Sequence, residues 1–252
     1  MSKFDRIVDD GLKHVLPLFE DHPEVIKFLR DMSFAVCADL NGITPEDNLF
    51  PRQLVEKGIR LFEANFDAIL QQVKILDPDF ELACSSGCSY CCSSHISLMP
   101  HEAFNIALYL AQNCDESEFT RYTEKCIEAA APLEIKSLKS FVKDYFSPCP
   151  FLHENRCSIY DVRPIVCRNW ISSDLNACVK SHEGQNKVVV PQNAMVMVQK
   201  DLIFTGQRAY LKKYGINGNL GSFLPLLSLI MIDFEGTYKR WLSGEVLQGQ
   251  ID

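Results

Sequence analysis

Four cysteines fall within nine residues: Cys84-Ser-Ser-Gly-Cys88-Ser-Tyr-Cys91-Cys92. On a helix, where each residue turns the chain by about 100°, their sulfurs would share an arc of roughly 100° on one side. If Gly87 breaks the helix, a loop could wrap the same four around one ion. Either geometry gathers thiolates, and thiols this close together are hard to explain without a metal to hold them. The rest of the chain is expected to be arranged around this stretch.

A second block lies downstream, with Cys149, Cys157, Cys167 and Cys178. The two blocks make eight candidate thiols in two sets of four. Structural zinc takes four ligands, and iron–sulfur clusters are usually held by four cysteines. The count therefore suits two sites, or one site with spare ligands. The spacing matches neither two separated Cys-x-x-Cys pairs nor the ferredoxin runs. Cys91 and Cys92 are adjacent, and neighbouring thiols cannot easily both reach one tetrahedral ion. The remaining cysteines read differently. Cys37 borders a helical apolar stripe and Cys126 belongs to one, so both read as core. Cys114 marks a junction between helices.

Four thiolates on a divalent ion leave a net charge near -2, which needs a counter-charge or hydrogen bonds when buried. Arg163 and Arg168 flank Cys167 and could supply both, or could pair with surface carboxylates such as Asp161. Tyr160 could donate to a sulfur or simply pack. His95, His101 and His153 lie near the cysteines in sequence. Each alone reads as a surface or satisfied histidine, although imidazole suits zinc and iron.

The pattern Cys84-x-x-x-Cys88-x-x-Cys91-Cys92, then Cys149-Pro-Phe-Leu, then Cys157-x-Ile-Tyr160-x-x-Arg163-Pro-x-x-Cys167-Arg168, resembles the YkgJ-type cysteine-cluster family. That family is also described as the zinc- or iron-chelating CxxCxxCC domain. The resemblance covers about residues 84–170. It implies a cytosolic metal-chelating domain, often called an Fe–S oxidoreductase, with Cys84, Cys88, Cys91, Cys92, Cys149, Cys157 and Cys167 as ligands. The chain departs from the pattern in having three residues, not two, between its first two cysteines. Flagellin lysine methylases show a similar cysteine pattern, which keeps a protein-modifying enzyme in view. No feature of the chain suggests a methyl donor, and such an enzyme would need a deep pocket beside the cysteines.

The expected cofactor is thus an iron–sulfur cluster or iron, with redox or Lewis-acid activity. The alternative is zinc in a structural module that binds a partner protein. No pattern points to a particular substrate or partner. The net charge of -8, with no long Lys/Arg run, weighs against nucleic acid. The N-terminus lacks an apolar secretory core, and the longest apolar run, Phe223 to Ile232, is ten residues interrupted by Pro225 and Ser228. Neither suggests a membrane, and a cytoplasmic location follows, where dense cysteines read as ligands rather than disulfides.

The fold class expected is mainly α, with helical flanks around an irregular cysteine-rich module. Hydrophobic residues at 47% support a core without disulfides. Apolar periodicity predicts helices over 23–40, 51–76, 100–113, 116–131, 192–213 and 222–242. Residues 149–178 read as irregular because Pro148, Pro150 and Pro164 block long helices, and Val188-Val189-Val190 reads as a short strand. Three segments result: 1–80 helical, 81–182 metal-binding, and 183–252 helical, all sharing one core. Gly215-x-x-Gly218-x-x-Gly221 is not a dinucleotide fingerprint, since no strand precedes it.

Overall fold

Prolines open several of the helices on which the cysteine segment rests. Pro23 begins α2 (Pro23–Asp39), Pro51 lies in the first turn of α3 (Phe50–Leu76), and Pro100 begins α4 (Pro100–Asn113). At that position the missing N–H costs nothing and the fixed φ suits the helix. The computed structural model describes residues 3–131, 133, 147–184 and 188–250. A short α1 (Lys3–Gly11) precedes these helices and α5 (Glu116–Ala130) follows them. Asp115 caps α5 by accepting a hydrogen bond from the Glu118 N–H. Two short helices, α6 (Ile165–Asn169) and α7 (Leu175–His182), lie within the cysteine-rich segment. The chain ends in α8 (Ala194–Lys213), α9 (Phe223–Ile232) and α10 (Phe234–Leu242). The protein is mainly α, as expected.

Strands are minimal. β1 (Ser97–Leu98) pairs antiparallel with β4 (Gly221–Ser222), tying the chain just after the first cysteine block to the start of α9. β2 (Leu152–His153) pairs antiparallel with β3 (Arg156–Cys157) in a tight hairpin. Glu154 and Asn155 turn that hairpin at φ 49° and 60°. Two successive positive φ values match the right-handed twist of the paired strands.

Helix α8 lies against α1, α2 and α3, while α4 packs on α3 and α9. The approach of α2 to α8 is close because Gly206 has no side chain. A Cβ there would sit 2.5 Å from that of Val36. Phe104 of α4 meets Trp241 of α10 at 5.1 Å between ring centroids, and Phe50 meets the same indole at 5.8 Å. All three are wholly enclosed. Phe104→Ala should therefore cost about 3–5 kcal/mol of unfolding free energy. A loss below about 1 kcal/mol in chemical denaturation would show that these rings do not form the centre of the core.

Three expectations change. The single helix over 222–242 is two, broken at Asp233 (φ -141°, ψ 82°). Asp233 accepts from the Gly236 N–H and so caps a new helix instead of continuing the old one. Residues 188–190 pair with no strand among the described residues, and Val189 is 86% exposed. The segment 149–178 is more ordered than its prolines imply. Pro164 stands at the N-cap of α6, and Asp174 caps α7 through the Ala177 N–H. Among the described residues no helix is long and apolar enough to cross a membrane.

Candidate metal centre

The stretch Cys84–Cys92 is a loop, not a helix. Gly87 takes φ +86°, which a side chain resists, and turns the chain so that the Cys88 N–H reaches the Ser85 carbonyl at 3.0 Å. A single 3-10 turn then spans Tyr90–Ser93. The loop is anchored at its start, where the Ala83 N–H donates to the Ser172 carbonyl at 2.9 Å.

The second block joins the first through the backbone. The Cys149 N–H donates to the Cys92 carbonyl at 2.8 Å, and the Ser147 N–H to the Ser93 carbonyl at 3.2 Å. Register then carries Cys157 inward, since it pairs with Leu152 across the hairpin. Phe151, enclosed between Tyr122 and Phe223, pins that hairpin to the helical core. The Ser89 hydroxyl donates to Asn155 Oδ1 at 2.9 Å and ties the hairpin tip to the first loop.

Cys167 is delivered by α6. Glu102, fully buried on α4, accepts the Ile165 N–H at 2.8 Å through Oε1 and the Met99 N–H at 2.9 Å through Oε2. One carboxylate thus caps its own helix and holds the first turn of the helix that carries a cysteine. The bond to Ile165 spans 63 residues and leaves no local trace in the sequence.

As a result Cys84, Cys88, Cys91, Cys92, Cys149, Cys157 and Cys167 line one cavity of 770 Å³. Cys178 is not in its wall. It sits on α7, which packs against the Tyr90–Ser93 turn, with His182 edge-on to Tyr90 at 5.4 Å. Burial raises the Cys178 thiol, and repulsion from Cys84, Cys88 and Cys91 adds to the rise. Among the described residues, no three His, Cys, Asp or Glu side chains stand close enough to hold one ion.

Every shifted thiol here resists ionisation. The hydrogen bond with Cys92 raises Cys91 most, with burial next. Burial takes Cys149 up to about 11, and Cys157 adds to the effect. Cys167 is pushed well above the usual range by burial, then by Cys149, Cys157 and Cys91. The charge of Arg163 opposes the rise at Cys84, Cys91, Cys157 and Cys167. A set of soft sulfur donors that repel one another and share a nearby cation fits zinc or iron, either of which would hold them as thiolates.

The arginines divide their work. Arg168 bonds Glu63 at 2.9 Å and the carbonyls of Asp161, Arg163 and Tyr160 at 2.8, 3.2 and 3.4 Å. It clamps the loop before Cys167, and the carboxylate it meets is Glu63, not Asp161. Arg163 lies over the Tyr160 ring at 4.1 Å, and its Nε is buried without a hydrogen-bond partner. The Tyr160 ring therefore packs under a guanidinium. His95 lines the cavity, and burial lowers it to about 4. His101 lies in the core against Gln207, lowered to about 3 by burial, and His153 is exposed; neither is in the cavity wall. Cys37 and Cys126 are buried in the core, as expected.

The fold and the cavity define a helical protein that frames a thiol-rich pocket. Residues 83–189 match the CxxCxxCC family model, described as "Putative zinc- or iron-chelating domain", the same family that the cysteine motifs resemble. No curated protein and no solved structure gives a significant match to the chain.

Proposed function

We propose that the cavity holds iron as an iron–sulfur centre, with redox or Lewis-acid activity. The observation that carries this reading is the meeting of seven cysteines from two distant blocks in one wall. Seven exceed what one zinc ion needs. Within this set, Cys149, Cys157 and Cys91 each add by repulsion to the rise at the Cys167 thiol. Those four match in number the cysteines that a cluster takes. Bound there, the centre would supply electron transfer or an open iron. The chain's own part is to hold the thiols and to offset their charge through Arg163. Arg168 and Glu102 keep Cys167 in place.

A structural zinc module is the second reading, and the family description favours it equally. A lysine-modifying enzyme ranks behind both. The cavity has room for a side chain, but among the described residues Arg156, Arg163 and Arg168 line it without any Asp or Glu, and they repel a cationic lysine. Protein purified without oxygen should be brown and contain iron with acid-labile sulfide. A colourless protein with stoichiometric zinc and no sulfide would overturn the iron reading and leave the zinc module.

A further inference from the structure

The cavity is larger than its sulfurs require. Its 770 Å³ lies in the range of about 300–1,000 Å³ that encloses organic ligands. Beside the thiols its wall carries apolar side chains: Ile96, Leu152, Trp170, Ile171, Phe223 and Leu224. Three arginines line it and, among the described residues, no carboxylate does. Arg168 is spent on Glu63 and loop carbonyls. Arg163 forms no ion pair with a carboxylate among the described residues, and its Nε is enclosed without an acceptor. Its guanidinium carbon lies 4.1 Å from the Tyr160 ring centroid, which covers one face of the fork. A guanidinium fork suits two parallel bonds to a carboxylate.

We propose that this part of the cavity binds a small monocarboxylate with an apolar, ring-sized body. Arg163 grips the carboxylate, and Trp170 and Phe223 take the body. A phosphate ester suits the site less well. Among the described residues no lysine lines the wall, and Arg163 is the wall arginine whose buried Nε has no hydrogen-bond partner. The proposal rests on the metal reading only in that the metal occupies the thiol side of the cavity.

The test titrates anaerobically purified protein of known metal content with 3-phenylpropionate and, separately, with its amide. Calorimetry and ligand-observed NMR follow binding. The acid should bind at least about tenfold tighter than the amide, since a charge-assisted fork is lost with the amide. Arg163→Lys keeps the charge beside the thiols but loses the fork. It should keep its metal and bind the acid about tenfold more weakly, with the amide unchanged. Equal affinity for acid and amide overturns the proposal, as does failure of the acid to bind metal-replete protein. Undiminished binding of the acid to Arg163→Lys also overturns it. Selective binding of the acid to protein that never holds metal would support this site and defeat the metal reading instead.

Discussion

Cys167→Ser should strip the centre of its metal, with affinity falling by more than about 100-fold, beyond what losing an outer-shell contact costs. Cys167 is the cysteine that the fold positions most firmly. It sits on α6, whose first turn is fixed by Glu102 and whose preceding loop is clamped by Arg168. It also feels Cys149, Cys157 and Cys91 together. Serine keeps the size but not the soft, ionisable donor. The control is Cys126→Ser. Cys126 is fully enclosed on α5, beside Cys149 but outside the cavity wall. That variant should lose stability, since it buries a hydroxyl in an apolar site, and should keep its metal. Cys91→Ser and Cys92→Ser should each lose metal as well. Metal analysis on all four proteins, purified together without oxygen, decides the matter. Full occupancy in Cys167→Ser would remove α6 from the centre, and equal loss in Cys126→Ser would show that the measurement reports folding instead of ligation.

Much of this was readable from the chain because it is local. The periodic stripes of α2, α3, α4, α5 and α8 announce themselves within each segment, and the proline and Asx signals fix their ends. The cysteine motifs are equally local, and the cavity gathers the seven thiols that the family resemblance implies. Contacts between distant segments were not readable. Arg168 sits beside a cysteine in sequence, yet its donors turn to Glu63 and the 160–163 loop, because that loop presents carbonyls that need partners. The apolar stripe from Phe223 to Trp241 keeps its period across a helix break. Periodicity does not register that Asp233 bonds forward to Gly236. Cys178 was counted among the ligands by number alone. Its helix brings it against the first block but leaves it out of the cavity wall, so Cys178→Ser is the variant that separates seven ligands from eight.

Replacing Glu102 by glutamine should change how stability depends on pH. Burial raises this carboxyl from 4.5 to about 7, opposed by the Ile165 and Met99 N–H groups and by Arg168. A carboxyl raised on folding favours the folded state while it is protonated. Its contribution is complete below pH 4.5 and is lost as pH rises through about 7. Across pH 5 to 8 the loss amounts to roughly 2–3 kcal/mol. His101 carries the opposite sign. Burial lowers it from 6.5 to about 3, so its contribution is present above 6.5 and lost as pH falls towards 3. His95, lowered to about 4, acts in the same direction as His101. The wild type therefore shows a slope in which these groups partly cancel. Glu102→Gln removes one of them and leaves the histidines unopposed. Denaturant unfolding of both proteins, each treated with chelator, should show the variant gaining on the wild type by roughly 2–3 kcal/mol between pH 5 and 8. A difference that stays constant across that range would mean that Glu102 is ionised throughout. Its two backbone N–H bonds would then outweigh burial, and α6 would be held by a full charge.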